Sequence, residues 1–275
     1  MDEVKRMRPL LGTFVEVCAR SVDAHAAIDR AFASIERSQS LWSFQNSRSE
    51  LSCLNGSPGR QVPLTSDTVR LLRLAKVLMQ SSEATFDCTV GGMLVQQGKL
   101  PNHDALGDLL PRGCVQDIEL GTHWGRLQRP VRLTLDGLAK GYAVDLAIRA
   151  LKSQGVVAGW VNAGGDLRVF GEMTLPVGRR ELDGSFVSLG ILRDAALASS
   201  QAKASCEADA DFPACIVARP GQRPNPGLWT VLARSAWRAD ALTKVAATAP
   251  SWQRDALVRR LGGQLITPMP AEVAA

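Results

Sequence analysis

Asp136, Gly137 and Lys140 fall together in Leu135-Asp136-Gly137-Leu138-Ala139-Lys140, and residues of those types in that order outline an anion site. A glycine at the mouth of a helix leaves backbone N–H groups uncovered, and a lysine in the first turn aims a cation the same way. The bland reading is a tight turn followed by a solvated lysine. The motif alone does not decide between them, because the chain has neither a Walker pattern nor a G-x-G-x-x-G. A second pair, Asp240 and Lys244, is spaced i,i+4; on a helix surface such a pair contributes only ~0.3 kcal/mol. Asp87, beside Phe86 and ahead of Gly91-Gly92, reads as a capping or turn carboxylate, and Phe44, in a Ser- and Asn-rich stretch, either packs in the core or stacks on a flat ring.

Periodicity supplies the elements that would position these groups. Residues 131–136 alternate Val131, Leu133 and Leu135 with Arg132, Thr134 and Asp136, the pattern of a strand with one buried face. From Leu138 the apolar residues recur at helical spacing as far as Leu151, Gly155 supplies the stop, and 156–161 is an apolar run of strand length closed by Asn162-Ala163-Gly164-Gly165. Upstream, the patterns predict a strand at 13–17, a helix at 23–39, a loop with a short helical turn at 42–55 and a helix from Ser66, as N-cap, to residue 80. A short helix at 101–111 and weak strands to residue 127 follow. Downstream come strands at 166–171 and 186–192, a turn at 195–200, a strand at 229–233, helices at 238–247 and 251–261, and a closing strand at 264–267. Strands and helices in no strict βαβ order predict an α+β fold with mixed or antiparallel sheets.

The 275 residues are 45% apolar and 21% charged, enough for one large domain spanning 1–275 in two lobes. A net charge of +5 favours anionic partners, but the cations are scattered and aromatics are 5%, which suits a phosphate-bearing cofactor at least as well as nucleic acid. The N-terminus shows no apolar signal region and no run approaches ~20 apolar residues, so the sequence as written reads as cytoplasmic, or periplasmic if it is truncated. Six cysteines without metal-ligand spacing read as free, mostly structural thiols.

The segment from Leu133 to Asp145, followed by Asn162 to Gly171, resembles the signature of the FAD:protein FMN transferases, the ApbE-like family. Further blocks occur in the family's order: Pro9-Leu10-Leu11-Gly12-Thr13, Ser43-Phe44 leading to Ser49-Glu50-Leu51, Phe86-Asp87-Cys88-Thr89, and Ala239-Asp240-Ala241-Leu242-Thr243. The resemblance implies an ApbE-like fold with a flavin-nucleotide cleft between two lobes. It also implies transfer of the FMN half of FAD to a Ser or Thr hydroxyl of an acceptor flavoprotein, with release of AMP. FAD would be the substrate and Mg2+ the cofactor. Cofactor contacts would fall on Leu11, Phe44, Thr85, Phe86, Asp87, Thr134, Asp136, Lys140 and Cys215, metal ligands on Gly137, Asp240 and Thr243, and catalysis on Asp240, Thr243 and Lys244.

Three departures from the family pattern stand out. Lys244 replaces the threonine that ligates magnesium in relatives; a protonated lysine has no lone pair to give, so either Thr243 takes over or the Lys244 ammonium itself meets the phosphates. Thr134 stands where relatives carry an aspartate, and Asp136 is the carboxylate that would take its role. The stretch Ala214-Cys215-Ile216-Val217-Ala218-Arg219-Pro220-Gly221 lacks the family histidine and aspartate. His25, His103 and His123 lie elsewhere and are expected to be solvated, leaving Asp87, Asp136 or Asp240 as base, or a step that proceeds without a strong one. The same site would hydrolyse FAD to FMN and AMP if water replaced the acceptor, and without catalysis it would be a flavin-binding protein. No acceptor motif occurs in the chain itself, which points to modification of another protein.

Overall fold

The computed structural model describes residues 2–103, 109–203 and 215–266. Strand β1 (Asp2–Leu10) forms a hairpin with β2 (Thr13–Ser21), whose Val15, Val17 and Ala19 alternate onto one face and are completely buried, while Cys18 is buried on the other. A strand covered on both sides must lie inside a layered domain. Helix α1 (Ala24–Trp42) packs Ile28, Phe32 and Ile35 onto the first face. Then come α2 (Glu50–Asn55), capped by the Ser49 side chain, β3 (Val62–Pro63), α3 (Ser66–Ser81), α4 (Gly91–Gln96), β4 (Ile118–Leu120) and β5 (Trp124–Leu127). The second half comprises α5 (Ala139–Ser153), β6 (Ala158–Ala163), β7 (Asp166–Phe170), β8 (Thr174–Arg180), β9 (Phe186–Arg193), β10 (Ala196–Ala202) and β11 (Gly227–Ala233). It closes with α6 (Ala236–Thr248), α7 (Arg254–Arg260) and β12 (Gly263–Leu265).

The main sheet has seven antiparallel strands in the order β1-β2-β6-β7-β10-β11-β12. On one face lie α1, α5 and α6. The opposite face is covered around Trp160, Val169 and Met173, with β9 contributing Leu192. A further core cluster joins α2, α3, α4 and the 131–138 segment to the outer side of α6 and to α7. This is the α+β, antiparallel arrangement that the sequence predicts.

Some elements differ from expectation for identifiable reasons. Residues 131–136 form no sheet strand; Arg132 makes an isolated parallel bridge to Val90. Arg132 and Thr134 are buried along with the apolar residues between them, so the alternation did not mark one wet face. Residues 195–200, read as a turn, belong to β10 in the sheet interior. β1 gave no apolar signal because it is an edge strand carrying Lys5, Arg6 and Arg8, whose charges are answered by Glu16, Asp29 and Glu36. Of the expected helix at 101–111, residues 104–108 lie outside the described residues and the described ends, 101–103 and 109–111, are not helical; residue 267 of the closing strand also lies outside them. The cysteines are not all free: Cys18, Cys53, Cys88 and Cys114 are, whereas Cys215 is disulfide-bonded.

Candidate functional site

The site grows from the contact between the first turns of α5 and α6. Gly141 lets the helices close: a Cβ there would sit 2.3 Å from the Ala236 carbonyl oxygen. Asp145, one turn further along α5, caps its neighbour, its two oxygens each accepting from a first-turn N–H of α6, those of Ala236 and Trp237, both at 3.0 Å. Arg168 of β7 pairs with the same carboxylate. In return Asp240 of α6 accepts the Gly141 N–H at 3.1 Å. Each helix therefore caps the other, which fixes where Asp240 stands relative to the head of α5.

Two lysines and three aspartates gather there. Lys140 Nζ lies 3.0 Å from Asp166 Oδ2 at the start of β7. Lys244 Nζ is hydrogen-bonded to Asp240 Oδ1 and donates to Ser200 Oγ at 3.0 Å. Ser200 and Thr243 share a hydrogen bond of 2.7 Å, and Thr243 donates to the Asp240 carbonyl at 2.7 Å. A directed chain thus runs from the Lys244 ammonium through Ser200 and Thr243 to the α6 backbone. Gly137 borders the cluster: a Cβ there would be 3.1 Å from the Phe86 ring and 3.8 Å from Lys244 Cγ.

Electrostatics follow from this crowding. Burial, with the Asp240 charge second, pushes the Asp166 carboxyl up to about 6. The Asp166 charge in turn raises Lys140 well above the ordinary lysine range, with Asp240 adding to it. Asp136 is open to solvent yet hemmed in by protein on most sides; desolvation raises its carboxyl, and Asp240 adds repulsion. Accessible but crowded is the condition of a group on the wall of a concavity.

The structure brings Asp136, Gly137, Lys140, Asp240, Thr243 and Lys244 together, with Phe86 alongside. The other expected residues make contacts of their own. Thr134 donates its N–H to the Cys88 carbonyl at 2.9 Å, tying the 131–136 segment to the Phe86 loop. Asp87 makes the turn expected of a bland carboxylate, accepting from Thr89 N–H and Oγ1 at 2.7 and 2.6 Å, with Arg112 3.5 Å away. Thr85 accepts from Arg219 at 3.0 Å and, through its carbonyl, from Thr248 at 2.8 Å. Phe44 is 5% exposed and belongs to the core, its ring 6.2 Å from that of His103. His103 is exposed, as expected, and its Nε2 lies 2.7 Å from the Phe44 carbonyl oxygen. Leu11, at φ 56° in the β1–β2 turn, binds Gln39 Oε1 through its N–H at 2.7 Å. A cavity of about 300 Å³ between α1 and α5, lined by Arg37, Trp42, Asp67 and Arg149 among others, contains none of the expected residues.

Asp145, Asp166 and Ser200 were not singled out from sequence. Asp166 directly follows Gly164-Gly165 and opens a strand, a place where a charge has few structural uses, and that was the available signal. Nothing local marks Asp145 as the cap of a helix some ninety residues away.

A magnesium ion on Gly137, Asp240 and Thr243 does not fit these residues. Both carboxylate oxygens of Asp240 are engaged, and Thr243 is completely buried with its hydroxyl committed on both sides. The Lys244 ammonium lies on the oxygen that a metal would use. A divalent ion about 4 Å from that ammonium would meet ~8 kcal/mol of repulsion at an effective dielectric of ~20. Among the described residues no group of three or more His, Cys, Asp or Glu side chains is placed to hold a metal.

The chain is similar to proteins of known type. A protein from Rhodobacter capsulatus named FAD:protein FMN transferase is 29% identical over 181 residues, covering 59% of this chain and 34% of its own length. One of the same name from Treponema pallidum is 24% identical over 189 residues, covering 62% of this chain and 52% of its own. The chain thus aligns with about a third and about half of these relatives. Among solved structures, the apo flavinyl transferase ApbE of Pseudomonas stutzeri superposes with a TM-score of 0.76 at 20% identity, over 98% of this chain and 96% of that one. The ApbE protein of Thermotoga maritima gives 0.77 at 21% identity, over 96% and 93%. With the ApbE family profile matching residues 11–266, the chain belongs to the ApbE family.

Proposed function

We propose that this protein transfers the FMN half of FAD to a Ser or Thr hydroxyl of a second protein, an acceptor flavoprotein, and releases AMP. The observation that carries the reading is the family match over 11–266 together with two ammonium groups, on Lys140 and Lys244, at the head of α5 where a diphosphate would lie. In the transfer the acceptor oxygen forms a bond to the FMN phosphorus, and the bond from that phosphorus to the bridging oxygen breaks. AMP leaves with the electron pair, and the hydroxyl gives up its proton. Lys140 and Lys244 counter the charge that develops on the diphosphate oxygens.

Asp136 takes the hydroxyl proton. Of the three carboxylates available for this, Asp87 is tied up by Thr89 and Arg112, and Asp240 by Gly141 and Lys244. Asp136 is solvent-accessible, and burial raises its carboxyl above the ordinary range, which makes it a better proton acceptor than an unperturbed aspartate. Magnesium, which relatives are expected to use, does not fit these residues.

The test combines AMP release from FAD with in-gel flavin fluorescence of an acceptor carrying a flavinylation motif. Transfer gives both signals, and Asp136→Asn is expected to lower the rate by about 10²-fold without weakening FAD binding. AMP without a labelled acceptor would replace transfer by hydrolysis. Bound FAD with no AMP would leave only a flavin-binding protein.

A further inference from the structure

We infer that the Lys244 ammonium stands in for the divalent cation at the FAD diphosphate, so that this chain binds its flavin nucleotide without a metal. The inference rests on the flavin-transfer reading and deepens it. A protonated lysine has three N–H donors. Asp240 Oδ1 and Ser200 Oγ take two of them, the side chain is 19% exposed, and the third donor is left for a ligand. The stem passes Gly137, whose missing side chain keeps the space between the α5 turn and Lys244 open. Asp240, 0% exposed and held by Gly141, anchors the ammonium, and the Ser200–Thr243 chain fixes its direction. A lysine serving only as half of a buried ion pair would have no use for the serine or for an accessible edge. Lys140, 37% exposed, supplies the second cation from the first turn of α5.

The experiment measures FAD and riboflavin affinities by quenching of flavin fluorescence, in EDTA and in Mg2+, for wild type, Lys244→Met, Lys244→Arg and Lys244→Thr. Wild type is expected to bind FAD equally well in both buffers, within about twofold. Lys244→Met should weaken FAD binding by about 30-fold in either buffer and leave riboflavin binding unchanged, because only FAD carries the diphosphate. Lys244→Arg should keep most of the affinity. Lys244→Thr should bind FAD weakly in EDTA and regain affinity in Mg2+. Wild-type binding that is lost in EDTA and restored by Mg2+ overturns the inference while leaving the flavin reading intact, as does a Lys244→Met protein that binds FAD like wild type. A wild type that binds FAD in neither buffer overturns the flavin reading itself. Should Lys244→Met fail to fold, the wild-type comparison in EDTA and Mg2+ still decides.

Discussion

Two lysine–aspartate pairs meet at the head of α5, and they are built differently. Lys140 reaches from the first turn of α5 to Asp166 Oδ2, 3.0 Å away, as an ion pair between a helix and a strand. Lys244 is hydrogen-bonded to an aspartate on its own helix and braced by Ser200. The first lysine is the more exposed and less braced charge, at 37% against 19%; the second is held by two partners. Preorganised charge costs no rearrangement when a ligand arrives. The two partner aspartates differ as well: Asp240 also holds the α5 cap, while Asp166 is buried and has Lys140 as its ion-pair partner.

Breaking the fixed pair should have the largest effect. Asp240→Ala strands the Lys244 ammonium and the Gly141 N–H in the interior, and urea denaturation should show a loss of about 3–5 kcal/mol. A loss below about 1 kcal/mol would mean that the pair is not a structural anchor. Asp145→Ala tests the frame on which both pairs depend. It removes the acceptor of two α6 N–H groups and the partner of Arg168, and should cost about 2–4 kcal/mol by the same measurement.

The looser pair is best probed through pH. Burial pushes the folded Asp166 carboxyl up to about 6, from an ordinary value of 3.8. A raised carboxyl favours the folded state fully below the unfolded value, and that contribution is lost as pH rises through the folded one. Wild type should therefore lose up to ~3 kcal/mol between pH 4 and 7 that Asp166→Asn does not lose. Parallel stability curves for the two proteins would show that burial is not felt at Asp166. The smallest effect on stability should come from Lys140→Met, under about 1 kcal/mol, because Lys140 is partly solvated and Asp166 can take up a proton in its place. The same substitution should still weaken FAD binding about tenfold.

The parts legible in sequence are those with local causes. The α5 periodicity, the glycine turn before it, and the i,i+4 spacing of Asp240 and Lys244 each predict what is found. The 131–136 segment misleads because alternation implies a wet face only if the polar residues face water, and Arg132 and Thr134 are buried. Phe44 and Asp87 carry functional expectations by resemblance, yet each satisfies a local structural need, in the core and in a turn. The mutual capping of α5 and α6 was illegible because Asp145 and Ala236 are joined only by the tertiary fold. Lys244 itself was visible as a departure; what it does depended on Ser200, which reaches it only through β10.

The most direct measurement is AMP release from FAD by the wild-type protein, with a motif-bearing acceptor, in EDTA and in Mg2+. If fixed lysine charge replaces a metal, AMP should appear and the acceptor should become fluorescent in EDTA, at a rate within about twofold of that in Mg2+. Turnover abolished by EDTA and restored by Mg2+ would contradict this, and would mean that Lys244 gives up Asp240 to a metal whenever the enzyme works.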